Sequence, residues 1–307
     1  MSEFSFEGRV AVVTGAGRGI GRAHARLLAQ RGAKVVVNDL GGSMDGEGAD
    51  AGPAQAVAKE ITADGGTAAA DTHDVSTPEG GQAVIDTALD HFGRVDILIN
   101  NAGIVRWGGL QDVTLNNLEH HLDVDLVGSF TTLQAAWPHF VEQGYGRIVL
   151  TTSSGVFGLD NNLSHAAAKG GVIGLARSTA LAGGPHGIKV NLIAPMAQTR
   201  MGGGEIDDDA EPVPGKPFLL PAAVAPMVAY LAHESCPVNG EIYTAGAGRF
   251  TRVFLASTQG YVHPRSQDTP TVEDVAANWE RINDESGYYV PSDLMAWSAE
   301  YLKHQFT

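Results

Sequence analysis

Two titrating side chains, His165 and Lys169, stand four residues apart in Leu163-Ser-His165-Ala-Ala-Ala-Lys169, a segment that reads as the opening of a helix. That spacing puts them on one helix face, a turn apart, over the same crevice. Just upstream, the apolar run Arg147-Ile-Val-Leu150 ends in consecutive hydroxyls, Thr151, Thr152, Ser153 and Ser154. Hydroxyls end strands routinely, but a cluster of them at the carboxyl edge of a parallel sheet lies where open α/β sheets bind ligands. An imidazole accepts or donates a proton near neutral pH and is the commonest general base. Proton transfer on a bound substrate is the chemistry within reach of this set.

A second set points to a dinucleotide. Val10-Ala-Val-Val13 reads as a buried strand, and Gly21 to Arg31 as a helix with Ala25, Leu27 and Leu28 on its apolar side. Between them, Thr14-Gly15-Ala-Gly-Arg18-Gly19-Ile20-Gly21 has the spacing G-x-x-x-G-x-G. Glycine allows positive φ there and lets a phosphate approach the main chain at a helix N-terminus, where the dipole favours an anion. The next strand, Lys34-Val-Val-Val-Asn38-Asp39, ends in an acid about 20 residues after the glycines, where a carboxylate bonds ribose hydroxyls and repels a 2′-phosphate. Arg18 could pair with such a phosphate, but the carboxylate at the strand end should dominate, so NAD rather than NADP is expected. Asp74-Val75 follows a weak strand at 67–72 and sits where an adenine amino group could be bound. The strand from Val95 ends in Asn100-Asn101-Ala102-Gly103. Buried amides need partners, so Asn100 is expected to tie strands together, while Asn101, Ala102 and Gly103 face the cofactor.

Composition sets bounds on the partners. A chain of 307 residues suffices for one large α/β domain, with or without an appendage. The net charge of -15 argues against nucleic acid, which needs clustered Lys and Arg, and gives no long-range attraction for an anionic substrate. The single cysteine, Cys236, excludes an intramolecular disulfide and fits a reducing compartment. No apolar run approaches the roughly 18 residues of a membrane span, and the first residues lack a signal-peptide pattern. A soluble, cytoplasmic protein without membrane contact is expected.

Strand and helix patterns alternate to about residue 245, which predicts right-handed crossovers and a doubly wound parallel sheet of Rossmann type, covered on both faces. Helices are expected near 53–64, 77–92, 114–141 and 163–182. The third carries His120, His121, Asp123 and Asp125; adjacent histidines cannot share a helix face, and no metal-ligand spacing follows them, so no metal is expected. Residues 201–221 are rich in Gly, Asp and Pro, too long for an ordinary connection, and their run Glu205-Ile-Asp-Asp-Asp209 reads as a solvated surface. An extension at 246–307 carries Trp279, Tyr288, Tyr289, Trp297 and Tyr301. Aromatics at that density need a surface to bury against, on the domain at 1–245 or on a neighbouring subunit.

The glycine loop, the Asn100-Asn101-Ala102-Gly103 turn, the hydroxyl-ended strand and the helix bearing Lys169 together resemble the short-chain dehydrogenase/reductase family. Val36-Val-Asn-Asp39-Leu-Gly-Gly42, Ile193-Ala-Pro195, His233-Glu-Ser-Cys236 and Ala277-Asn-Trp-Glu280 are similar to segments of its multifunctional-enzyme type 2 group. That group comprises peroxisomal (3R)-hydroxyacyl-CoA dehydrogenases, also described as 17β-hydroxysteroid dehydrogenases. The resemblance implies NAD-dependent interconversion of a secondary alcohol and a ketone, on a 3-hydroxyacyl thioester or a hydroxysteroid-like substrate. It places Lys169 at the lysine that binds the nicotinamide ribose, and Pro195 and Thr199 at the carboxamide contact. Counting forward from Gly146 puts Ser153 at the hydroxyl that holds the substrate oxygen; counting back from Lys169 puts Thr152 there. Asp125 takes the position of the proton-relay asparagine, and His165 that of the acid/base tyrosine. The resemblance also implies a substrate lid at 201–221 and pairing through the helices at 114–141 and 163–182 into a homodimer or homotetramer. Lys169 would oppose the imidazolium that ketone reduction needs as proton donor, so alcohol oxidation is the expected direction. The alternative from another class is a non-catalytic NAD(H)-binding homologue or regulatory subunit.

Overall fold

The computed structural model of the chain describes residues 4–202, 219–264 and 269–306. The chain divides into two compact units, Met1–Arg252 and Val253–Thr307. The first is built on an eight-stranded sheet of β1 (Val10–Thr14), β2 (Lys34–Asn38), β3 (Thr67–Asp71), β4 (Ile97–Asn100), β5 (Gly146–Thr151), β6 (Ile188–Pro195), β7 (Ile242–Gly246) and β8 (Arg249–Val253). The strand order is β3-β2-β1-β4-β5-β6-β7-β8, and every pair from β3 to β7 is parallel. Buried parallel strands need apolar side chains on both faces, and β1, β4 and β5 are buried from end to end. The strands are joined by α1 (Gly19–Gln30), α2 (Gly52–Ala63), α3 (Pro78–Phe92), α4 (Leu115–His121), α5 (Gly128–Gln143), α6 (Leu163–Gly183) and α7 (Ala225–Ala232). Strand order reverses between β1 and β4, which opens a crevice at their carboxyl ends.

The helix expected over 114–141 is not a regular one. Between α4 and α5 the chain makes a π-helical turn, Leu122–Val127. The wider turn shifts the residues after it relative to an α-helix, and it carries Asp125 to a fully buried position. Such turns recur at functional sites. The compact unit also continues past the break expected at residue 245. Ala247 and Gly248, both at positive φ, turn the chain back into β8, a hairpin geometry that matches strand twist. The Thr244 and Thr251 hydroxyls then bond, and Arg252 pairs with Glu241 at 2.8 Å. The lid expected at 201–221, with the acidic run 205–209, lies mostly outside the described residues.

The second unit contains α8 (Val272–Ala277), α9 (Trp279–Ile282) and α10 (Leu294–Leu302). Thr271 and Asp274 form a reciprocal cap on α8, and Asp293 caps α10 by accepting from the Ala296 N–H. Trp297 stacks on Tyr301 with ring centroids 4.7 Å apart. None of its described residues is buried.

Candidate active site

The glycine loop takes its shape from what lies behind it. A Cβ on Gly15 (φ +62) would sit 2.8 Å from Ala102 Cα, and one on Gly21 would collide with the Gly15 carbonyl. Gly19 (φ +54) faces more open space, with Thr199 Cγ2 the nearest atom a Cβ would meet, at 3.6 Å. Asn101 Nδ2 donates to the Thr14 and Gly15 carbonyls at 3.0 and 3.1 Å, and Thr14 Oγ1 accepts from the N–H groups of Asn101 and Ala102. Asn101 thus lines the crevice, but its amide locks the loop to the turn after β4. Asn100 is structural: it donates to the Ser129 carbonyl and accepts from the Thr132 hydroxyl. No side chain caps α1 at Arg18, and no acid lies in its first turn. A dinucleotide pyrophosphate fits that helix end.

A cleft of about 300 Å³ runs from this loop past Asp39, Asp74 and Val75 to Ala102, Gly103 and Thr199. Asp39 is fixed at its rim by accepting from Gly17 N–H at 2.8 Å and Gly41 N–H at 2.7 Å. Asp74 Oδ1 accepts from the Ser76 N–H and hydroxyl. Arg18 and Ile20 also line the cleft, and the Arg18 guanidinium donates to the Gly42 carbonyl. Pro195 closes β6 without contributing to the cleft wall.

Behind Gly103 lies the titrating cluster. A Cβ on Gly103 would collide with Asp125 Oδ1 and approach Lys169 Nζ to 3.2 Å, so the turn and the cluster are in contact. Lys169 Nζ is 3.2 Å from Asp125 Oδ1, to which the Ile104 N–H also donates. His165 Nδ1 donates to the Ile104 carbonyl at 3.1 Å and lies 3.5 Å from Asp125 Oδ2. The His121 ring stands edge-on to His165, with centroids 6.1 Å apart. His121 Nδ1 donates to the Asn117 carbonyl, and Nε2 accepts from the Arg106 N–H. Burial pushes the His121 imidazole below its ordinary value. Burial also works to raise the Asp125 carboxyl, but the Lys169 charge and the His165 contact outweigh it and hold the group below the usual carboxylate value. The expected opposition of Lys169 to an imidazolium is therefore offset, because a carboxylate faces both cations.

The two hydroxyl candidates differ in their commitments. Buried Thr152 donates its hydroxyl to the Lys169 carbonyl at 2.8 Å. Ser153 Oγ accepts from the Gly155 N–H, and its own proton has no acceptor among the described residues.

Sequence reasoning missed the Ile104 carbonyl, for which no side-chain signal exists. It also missed the part played by residues 43–47. Val105 N–H donates to the Met44 carbonyl, and Arg106 reaches the Asp45 carbonyl at 2.6 Å and Glu47 at 2.5 Å. These bonds bring Ser43, Met44 and Gly46 into the cleft wall, with Gly46 close against the His120 ring. The length and glycine content of the loop after Asp39 were the available signal. His120 and His121 part as neighbours on a helix must, one to the cleft and one to His165.

Comparison with known proteins places this geometry. The short chain dehydrogenase family model matches residues 9–209. A Mycobacterium tuberculosis protein named as a short-chain type dehydrogenase/reductase is 45% identical over 280 residues, covering 91% of this chain and 95% of that protein. The structure of full-length peroxisomal multifunctional enzyme type 2 from Drosophila melanogaster matches 98% of this chain with a TM-score of 0.79 and 35% identity. This chain spans 50% of that protein. A 7α-hydroxysteroid dehydrogenase complexed with NADH and 7-oxo glycochenodeoxycholic acid matches 80% of this chain and 95% of its own, with a TM-score of 0.70 and 28% identity.

Proposed function

Since the chain belongs to the short-chain dehydrogenase family, we propose that it is an NAD-dependent oxidoreductase interconverting a secondary alcohol and a ketone, with His165 moving the proton. The observation that carries this reading is the contact between the inner end of the cleft, at Gly103, and the cluster of His165, Asp125 and Lys169. Bound NAD supplies a nicotinamide that takes hydride from the carbinol carbon. The chain does the rest. Loop N–H groups between Gly15 and Gly21 receive the pyrophosphate, Asp39 the adenosine ribose, and Asp74 with Val75 the adenine. Ala102, Gly103 and Thr199 border the nicotinamide half, and Lys169 binds its ribose. Ser153, whose proton is uncommitted, orients the substrate oxygen, and His165 accepts the proton of the alcohol. The substrate class is a 3-hydroxyacyl thioester or a hydroxysteroid-like alcohol, the second in keeping with the similarity to a 7α-hydroxysteroid dehydrogenase. The described residues contain no helix long and apolar enough to cross a membrane, and a cytoplasmic location belongs to the same proposal.

Nucleotide titration followed by turnover on a panel of such alcohols tests the proposal. NAD(H) is expected to bind at least about tenfold more tightly than NADP(H), a difference of about 1.4 kcal/mol. Asp39→Ala narrows that gap by removing the charge that repels a 2′-phosphate. It also weakens NAD binding, because Gly17 and Gly41 lose their shared acceptor. Equal affinities in the unaltered protein would sink the cofactor assignment.

The proposed assembly is a homodimer or homotetramer that pairs through α5 and α6. Phe130 and Leu181 are 45% and 56% exposed on these helices, and Gly170 and Gly174 of α6 face open space. Light scattering at micromolar concentration is expected to give twice or four times the chain mass; a monomer contradicts the assignment. Replacement of the family tyrosine by His165 favours one other reading, a nucleotide-binding protein without turnover.

A further inference from the structure

We propose that Asp125 is the positioning residue for His165: it holds the ring with its proton on Nδ1, leaves Nε2 as the proton acceptor, and supplies the counter-charge for the imidazolium that results. This rests on the reading of His165 as the base. The tautomer follows from the acceptors. The Ile104 carbonyl that bonds Nδ1 can only accept, as can Asp125 Oδ2 just beyond bonding distance, so Nδ1 must carry the hydrogen and the lone pair falls on Nε2. Nε2 has no hydrogen-bond partner among the described residues and is not sealed from solvent. Asp125 Oδ2, by contrast, is sealed and has no hydrogen-bond partner among the described residues, because 3.5 Å is too long for a hydrogen bond to the ring. A positive charge on His165 gives that oxygen a reason to close the distance.

The charges facing the ring support the same assignment. Asp125 comes from the π-helical turn, Lys169 from the same face of α6, and His121 from α4, where its two backbone bonds keep it neutral. A tyrosinate beside a lysine sums to zero, and a tyrosine beside a lysine to one positive charge. His165, Lys169 and Asp125 give the same two sums, zero with the ring neutral and one positive charge after it takes a proton. Asp125 thus replaces the negative charge that an imidazole, unlike a phenol, cannot bring. In the step itself the carbinol O–H bond breaks, its proton binds the Nε2 lone pair, and its electron pair becomes part of the C=O bond. The C–H bond electrons leave with the hydride to the cofactor. Ketone reduction reverses each transfer, with the Asp125-backed imidazolium as proton donor.

The tautomer can be read without altering the chain. Histidine 15N shifts of the folded protein, assigned by loss of the signal in His165→Ala, are expected to show neutral His165 protonated on Nδ1; protonation on Nε2 overturns the proposal. Asp125→Asn keeps an oxygen for the Ile104 N–H but removes the charge. It is expected to move the rising limb of the oxidative pH profile and the NMR titration of His165 to lower pH together, by about one unit. Oxidation should also fall about tenfold at the pH where the parent limb has its midpoint or above. Asp125→Glu, which keeps the charge, should restore the limb. In the opposite test, His165→Tyr alone leaves a surplus negative charge, and adding Asp125→Asn to it should raise ketone reduction above that of His165→Tyr, a non-additive gain. If Asp125→Asn leaves the limb and the titration in place while His165→Ala abolishes turnover, the positioning role falls and the base assignment stands. Undiminished turnover in His165→Ala removes both.

Discussion

Replacing His165 with alanine is expected to slow alcohol oxidation by about 10³-fold, within the range that positioned proton acceptors contribute. Binding of NADH should be unchanged, because the ring makes its contacts with Ile104, Asp125 and His121 rather than with the cleft that would hold the nucleotide. The fold should survive as well. His165 is partly exposed, and its removal leaves Asp125 still paired with Lys169 and the Ile104 N–H. Added imidazole should recover part of the lost rate, since the vacated space admits a small base. Turnover assays with calorimetric NADH titration check the separation of the two effects. A parallel loss of binding and rate would assign His165 to structure instead.

Lys169→Met is expected to be the most destabilising single change in the site. It keeps the apolar stem and removes the cation that faces a fully buried carboxylate at 3.2 Å. Breaking a buried pair by removing one partner costs about 3–5 kcal/mol, because the remaining charge stays desolvated. The loss should depend on pH. Asp125 lies below its ordinary value in the folded protein, so it adds stability above the unfolded carboxylate value, near about 3.9, and that contribution disappears as pH falls through the folded value. Without Lys169, burial pushes the same group upward, and it takes a proton as pH falls. The gap between parent and variant therefore narrows toward acid and is widest near neutrality. His24, fully buried, with neither ring nitrogen bonded among the described residues, and held down to about 3, lowers the stability of both proteins below the ordinary imidazole range and cancels in the difference. Urea unfolding at pH 5 and pH 7 measures this; a loss that is the same at both would show that the Asp125 charge is not what Lys169 stabilises.

Much of the shape of the cleft was legible in the chain because its determinants are local. Gly15, Gly19 and Gly21 declare a tight approach by their spacing, and Asp39 declares itself by ending an apolar strand. The alternation of buried strands and helices announces the doubly wound sheet in the same way. The cluster of His165, Asp125 and Lys169 was less legible because its determinants are long-range. Nothing in the sequence around Leu122–Val127 shows that the helix widens there, so the burial of Asp125 between His165 and Lys169 appears only in three dimensions. The electrostatic expectation for His165 was incomplete for that reason: it counted Lys169, its neighbour along one helix, without the carboxylate delivered by another. The loop at 43–47 was legible as a loop, but its anchorage on Arg106 depends on segments about 60 residues apart, beyond the reach of any local pattern. The hairpin into β8 was missed because Ala247 adopts a positive φ that alanine does not advertise.

Deuterium at the carbinol carbon follows the proposed reaction most directly. Secondary alcohols and 3-hydroxyacyl thioesters so labelled, incubated with the protein and NAD, are expected to yield NADH with deuterium on the nicotinamide ring. The rate should rise with pH and be lost in His165→Ala. Bound NAD with no label transferred from any substrate of the panel at any pH would contradict the account and make the chain a nucleotide-binding protein without turnover.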